Sequence, residues 1–159
     1  MRLRDAAETA IHQCLALRAD ESCVVVTDDD RAPIGEVLYE VASEVTDDAV
    51  VCRYPPGEQH GAEPPAPVAG ALAAADVFVA PTTKSLTHTR ARSDATDAGA
   101  RGATMPGITE DVMVAGLDAD YEAIAEACSD LMAQVEDAGV IRVTSPQGTD
   151  VTVEPGDRD

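Results

Sequence analysis

Two spacings of hydrophobic and polar positions run through the chain and separate predicted helices from predicted strands. Apolar residues recur every three or four positions in segments such as 34–45, which is typical of a helix that buries one face. Short apolar runs such as 23–26 indicate strands that are buried on both faces. Helices are predicted over 3–17, 34–45, 65–75, 89–98, 109–114 and 121–135. Strands are predicted over 23–26, 49–52, 77–80, 102–105, 140–144 and 149–153.

The order of these elements predicts the fold. The first four strands are separated by helices, and such connections form right-handed βαβ units around a parallel sheet. The last two strands flank Pro146–Gly148 and alternate polar with apolar residues, which indicates a hairpin. We therefore expect a three-layer α/β/α fold of Rossmann or flavodoxin type, with a mainly parallel sheet and a C-terminal β-hairpin at its edge.

The charge of the chain excludes several classes of partner. It has 30 acidic against 11 basic residues and a formal net charge of −19 over 159 residues. Nucleic acids and anionic membranes bind positive surfaces, so neither is an expected partner. The acidic residues are spread over the whole sequence and lysine is nearly absent, which favours a halophilic protein adapted to high salt. An ordinary acidic cytosolic protein is the alternative.

Two features of the sequence concern the compartment. Residues 1–12 lack the apolar core of a signal peptide, and no run approaches the roughly 20 apolar residues of a membrane helix. The cysteines lie in apolar segments without C-x-x-C spacing, so buried free thiols are expected in preference to disulfides or zinc ligands. We therefore expect a soluble, cytoplasmic protein. The cysteines are Cys14, Cys23, Cys52 and Cys128.

The segment 84–92, with the sequence KSLTHTRAR, gathers positive charge in this acidic chain. It directly follows the predicted strand 77–80, and ligands of open parallel sheets bind beyond the carboxyl ends of the strands. Its hydroxyl side chains can cap the start of a helix, where free backbone N–H groups favour an anion. The candidate residues for binding an anion, a substrate or another protein are Lys84, Ser85, Thr87, His88, Thr89, Arg90, Arg92 and Arg101.

Helical spacing offers acidic partners to two of these basic residues. Arg90 lies four residues before Asp94, and Arg101 lies four residues after Asp97. Pairs at this spacing are neighbours on a helix surface and stabilise it by a few tenths of a kcal/mol. Both arginines can therefore belong to ordinary surface ion pairs.

His88 and Arg92 also lie four residues apart, but no acidic residue shares their face of the predicted helix. We hypothesise that they, together with Thr87 and Thr89, bind a carboxylate of a ligand, another domain or another subunit. The alternative is that a distant acidic residue such as Glu63 neutralises them, which would make the cluster structural.

Other candidate sites have less support. Asp28–Asp30 ends a predicted strand where a cation could bind, but a solvated acidic cluster is the simpler interpretation in this chain. Gly99–Gly102 fits neither the dinucleotide-binding nor the Walker pattern, and Ser85 with His88 lacks the sequence context of a hydrolase nucleophile. A metal site in the proline-rich loop 54–67 would have too few fixed ligands. The side chains considered for it are Glu58, His60 and Glu63.

Several motifs resemble those of a known enzyme family. They are SLTHTRAR at 85–92, GARGATMPGIT at 99–109, EPP at 63–65, ADV at 75–77 and IRVTSPQGTD at 141–150. Together they resemble the aminopeptidase T / aminopeptidase S family of metallo-exopeptidases, which is related to the 2,5-dihydroxypyridine dioxygenases. The match runs through most of the chain.

The resemblance implies a two-domain design, in which an N-terminal α/β domain precedes a C-terminal domain that binds two divalent ions. Under this interpretation residues 1–145 are the α/β domain, and 146–159 are a hairpin strand and the start of a missing metal-binding domain. No cofactor is expected in this chain, and zinc, cobalt or magnesium is expected only with the missing domain. The motifs that supply metal ligands in the family are not found here, so no catalytic residue or metal ligand is assigned.

Two functions remain open at this point. The first is the substrate-side and assembly domain of a metal-dependent aminopeptidase-like hydrolase, inactive by itself. Its expected partners are the metal domain or a neighbouring subunit in a homodimer, and a peptide substrate. The second is a non-catalytic domain that binds a small anion or another protein. The family resemblance also leaves open whether the complete protein is a peptidase or a ring-cleaving relative.

Overall fold

Four parallel strands form the central sheet of the computed structural model, which describes residues 2–156. The strands lie in the order β2-β1-β3-β4, which is the order of a flavodoxin-like doubly wound sheet up to its fourth strand. This confirms the predicted α/β fold with a mainly parallel sheet. The strands are β1 (Cys23–Asp28), β2 (Ala49–Tyr54), β3 (Val77–Ala80) and β4 (Arg101–Thr104).

The helices follow the predicted positions closely. The first predicted helix is α-helical only at its start and continues as a π-helix, Thr9–Cys14. None of the helices within residues 2–156 has both the length and the apolar character needed to cross a membrane. The α-helices are α1 (Leu3–Glu8), α2 (Ala32–Val45), α3 (Ala66–Ala74), α4 (Arg90–Asp97), α5 (Glu110–Gly116) and α6 (Tyr121–Val135).

Helices cover both faces of the central sheet. On β1, Cys23 and Val25 contact a core that includes residues of α1, α2 and α5, whereas Val24 and Val26 contact a second core formed with α3 and α4. Successive side chains of a strand point to opposite faces, so a strand between two cores is apolar at every position. This explains why the apolar run at 23–26 predicts a central strand.

Residues 2–119 and 120–156 belong to two compact units, with bounds Met1–Ala119 and Asp120–Asp159. The second unit contains α6 and an antiparallel hairpin of β5 (Ile141–Thr144) and β6 (Asp150–Val153), which form a sheet of their own. The unit boundary after residue 119 therefore lies before the domain boundary expected at residue 145. The assignment of 146–159 to the start of a metal-binding domain stays a prediction, and its last three residues lie outside the described part of the chain.

The cysteines differ in exposure. All four are free thiols. Cys23 is buried in β1 and Cys52 is half-buried, but Cys14 and Cys128 are exposed. The expectation that all four are buried is therefore wrong for Cys14 and Cys128, because apolar neighbours in sequence do not determine which side of a helix turns toward the core.

Candidate functional site

The basic segment 84–92 lies at the carboxyl end of β3, as predicted, and a buried carboxylate fixes the turn that leads into it. Asp28, the last residue of β1, accepts hydrogen bonds from the backbone N–H of Thr83 and from its hydroxyl at 3.1 Å. It also accepts one from the backbone N–H of Arg31 at 3.2 Å. Asp28 thus ties the ends of two neighbouring strands together, which is a structural role for this member of the acidic cluster 28–30.

Hydroxyl side chains fix the first half of the basic segment. The Ser85 hydroxyl accepts a hydrogen bond from the backbone N–H of Thr87 at 3.1 Å and donates one to the Thr87 hydroxyl at 2.9 Å. The Thr87 and Thr104 hydroxyls lie 2.8 Å apart in a further hydrogen bond. Thr104 ends β4, so these contacts join the loops after β3 and β4 at one edge of the sheet.

The proline-rich loop 55–65 is attached to the same segment. The backbone N–H of Ser85 donates to His60 Nδ1 at 3.1 Å, and the backbone N–H of Gly61 donates to the Ser85 carbonyl at 2.9 Å. The acceptor role of Nδ1 places the ring proton of His60 on Nε2. His60 therefore anchors the loop. Within residues 2–156, no group of three His, Cys, Asp or Glu side chains is placed to hold a metal ion.

The start of α4 binds an anion that the chain itself supplies. Of the hydroxyl residues expected to be able to cap a helix, Thr89 is the N-cap, and it accepts a hydrogen bond from the backbone N–H of Arg92 at 3.3 Å. The Glu63 carboxylate accepts from the backbone N–H groups of Arg90 at 2.7 Å and Ala91 at 3.2 Å. Glu63 therefore neutralises the end of the helix dipole and does not pair with the basic side chains.

Four basic side chains of the segment remain without a carboxylate partner among the described residues, and we name them the cationic rim. They are Lys84, His88, Arg90 and Arg92. The Arg92 Nε donates to the Thr87 carbonyl at 2.9 Å. His88 precedes the N-cap of α4 and therefore lies outside the helix. The expected placement of His88 and Arg92 on one face of the same helix is therefore wrong.

The rim stands out because most arginines elsewhere in the described chain are ion-paired. The paired ones are Arg2, Arg4, Arg18, Arg53, Arg101 and Arg142. Acidic residues outnumber basic ones by 30 to 11, so a cationic side chain has many possible partners. Basic side chains that nevertheless lack carboxylate partners within residues 2–156 can bind an external anion without first breaking an ion pair.

A cleft of about 430 Å³ opens beside the rim, along β4. Arg92 contributes a guanidinium, which suits an oxyanion such as a carboxylate. The three threonine hydroxyls on the wall of the cleft make hydrogen bonds within the chain. Thr104 was not recognised from the sequence, although its position near the end of the predicted strand 102–105 is a usable signal. The residues that line the cleft are Phe78, Thr87, Arg92, Thr96, Ala100, Arg101, Gly102 and Thr104.

Arg101 lies at the other end of the strands, because it is the first residue of β4. Its guanidinium makes two hydrogen bonds to the Glu21 carboxylate, at 2.7 and 2.6 Å, in place of the expected pair with Asp97. It also donates to the Leu15 and Ala16 carbonyls, both at 2.9 Å. Arg101 lines the cleft, but its donors are engaged within the chain, so it does not belong to the cationic rim.

Comparisons with known proteins bear on the fold. No family model and no curated protein matches the chain. Among solved structures, 2,5-dihydroxypyridine dioxygenase from Pseudomonas putida KT2440 is similar with a TM-score of 0.67 and 16% sequence identity, over 97% of this chain and 47% of that one. The aminopeptidase AmpT from Thermus thermophilus is similar with a TM-score of 0.54 and 16% identity, over 96% of this chain and 53% of AmpT.

These similarities confirm, at the level of the fold, the resemblance to the aminopeptidase and to the dioxygenase. At 16% identity they extend no further, since proteins of one fold carry many functions. The chain spans about half the length of each similar protein.

Proposed function

We propose that these residues form the substrate-side and assembly domain of a metal-dependent aminopeptidase-like hydrolase, whose metal ligands come from another domain or subunit. The cationic rim binds a carboxylate, either that of a peptide or one on the neighbouring domain. The observation that carries the proposal is the group of basic side chains at the carboxyl end of β3 that lack a carboxylate partner within residues 2–156, in a chain of net charge −19.

The fold supports this proposal through its similarity to an aminopeptidase. AmpT is an aminopeptidase, and the chain matches about half of it. The dioxygenase is equally distant in sequence, and the motif resemblance leaves both activities open, so a ring-cleaving relative is the alternative to the proposed peptidase.

The described residues do not themselves fit a two-metal centre. Such a centre needs several carboxylates and imidazoles that converge on two cations. Within residues 2–156, no three suitable side chains converge, and His60 uses Nδ1 to anchor a loop. The proposal therefore assigns this chain the binding of a carboxylate and no step that uses a metal.

Binding of dileucine and of its C-terminal amide tests the proposed role of the rim. We expect the free carboxylate to bind more tightly to the chain, by about tenfold, because the charge-assisted bonds to Arg92 are lost in the amide. Arg92→Ala should abolish this preference. Arg4→Ala removes the same charge from a remote ion pair and should leave the preference intact. Equal binding of both peptides would contradict the proposal.

Turnover tests the assignment of the metal chemistry. The isolated chain with added zinc or cobalt should not release the anilide from a leucyl anilide. Steady metal-dependent turnover by these 159 residues would show that the ligands lie in this chain and would refute the proposal.

A non-catalytic anion-binding domain is the second candidate, and the threonine-lined cleft beside Arg92 favours it. This function predicts that acetate or another small carboxylate binds as tightly as dileucine and protects the same backbone amides in NMR spectra. A marked preference for the peptide would favour the first function.

A further inference from the structure

A second cavity, of about 380 Å³, lies at the carboxyl end of β2 and has the opposite electrostatic character. Its volume falls at the lower end of the range for small-molecule sites. The lining combines one aromatic ring, several prolines and two carboxylates, and none of the residues that line it is basic. The principal lining residues are Tyr54, Pro55, Pro56, Glu58, Glu63 and Pro65.

The walls of this cavity are held in place before any ligand binds. Tyr54 packs against the core beneath α3 and α4, and the prolines fix the backbone torsion φ at their positions. Glu63 is bound to the start of α4, and Gly61 donates its backbone N–H to the Ser85 carbonyl. A preformed cavity loses little conformational entropy when a ligand enters.

The lining of the cavity carries the carboxylates of Glu58 and Glu63, while the Lys84 side chain lies beside Gly57 outside the lining. Glu58 is exposed and has no hydrogen bond or ion pair within residues 2–156, so its carboxylate is available. Burial and the nearby Asp28 charge raise the pKa of Tyr54, so its ring stays neutral at physiological pH. The neutral ring of Tyr54 and the apolar prolines can cover the hydrocarbon part of an organic cation.

We propose that this cavity binds a small organic ammonium ion with an apolar body, with the ammonium group at Glu58 and the hydrocarbon against Tyr54 and the prolines. The proposal does not rest on the function proposed above. It gives the carboxyl edge of the sheet two sites of opposite charge preference, one beyond β2 and one beyond β3.

Three ligands of equal size test the charge preference: 3-methylbutylammonium, 3-methylbutanol and 3-methylbutanoate. Binding is followed through the backbone amide shifts of residues 57–62 at constant ionic strength. We expect the amine to shift these signals, the alcohol to bind at least about tenfold more weakly, and the carboxylate to produce no shift there. Equal binding of amine and alcohol would overturn the proposal.

Two variants locate the ammonium group. Glu58→Gln should weaken binding of the amine by about tenfold while leaving that of the alcohol unchanged, because only the amine uses the charge. Glu40→Gln, which removes an exposed carboxylate from α2, should leave both unchanged. An amine affinity that is the same in Glu58→Gln and in the unmodified chain would overturn the assignment.

Discussion

The Glu63 carboxylate lies 2.7 Å from the backbone nitrogen of Arg90 and caps the first turn of α4. The proline-rich loop thereby supplies the anion that the start of this helix attracts. The side chains of Arg90 and Arg92 are left for other partners. One contact between two distant segments thus separates the structural part of the basic cluster from the part that is free to bind a ligand.

Glu63→Gln should destabilise the chain by about 1 kcal/mol, because the amide has no negative charge to offset the helix dipole. Urea unfolding followed by circular dichroism measures the loss. Glu58→Gln provides the matched control, since Glu58 lies in the same loop without a bond to α4 within the described residues. Equal losses in the two variants would show that the contact with α4 contributes nothing specific.

The pair between Glu21 and Arg101 predicts a dependence of stability on pH. Hydrogen bonds from Arg101 lower the pKa of Glu21 to about 2, from an ordinary value of 4.5. Because the folded pKa is the lower one, the pair stabilises the fold fully above pH 4.5, and this contribution is lost as the pH falls through about 2.

Comparison with Glu21→Gln isolates this contribution. The difference in unfolding free energy between the unmodified chain and the variant should be constant near neutral pH and shrink on acidification below the ordinary pKa of glutamate. A difference that stays constant down to about pH 2 would contradict the assignment.

Two helix ends use the left-handed backbone conformation with different residues. Ala16 has φ 47° after the π-helix, and Gly99 has φ 106° after α4. Glycine adopts this conformation without steric cost, whereas alanine does not. We expect Ala16→Gly to stabilise the chain and Gly99→Ala to destabilise it, each by about 1 kcal/mol. Thermal and urea unfolding measure both; a loss of stability in Ala16→Gly would contradict the argument.

The acidic composition predicts that salt stabilises the fold. At about 1 M salt the screening length falls to about 3 Å, so repulsion within a chain of net charge −19 is largely removed. The urea midpoint should therefore rise between low and molar KCl. The rise should be much smaller near the isoelectric pH, where little net charge is left to screen. A midpoint that does not respond to KCl at neutral pH would argue against adaptation to high salt.

Much of the fold follows from the sequence by itself. The apolar run at 23–26 predicts a strand between two helical layers, and the hydroxyl residues of 85–89 predict a capped helix start, which Thr89 provides. These features depend on residues that lie close together in the sequence, because side-chain periodicity and helix capping are local properties. The hairpin around Pro146–Gly148 is local in the same sense.

The tertiary structure alone decided which charges meet. Arg101 pairs with Glu21, which lies 80 residues away, because the sheet brings the start of β4 close to the segment before β1. Glu63 meets Arg90 across 27 residues because the proline-rich loop folds back onto α4. In a chain with 30 acidic residues, spacing along the sequence offers many plausible partners for each cation. The path of the chain in space selects among them, since charge-assisted hydrogen bonds form only at close range.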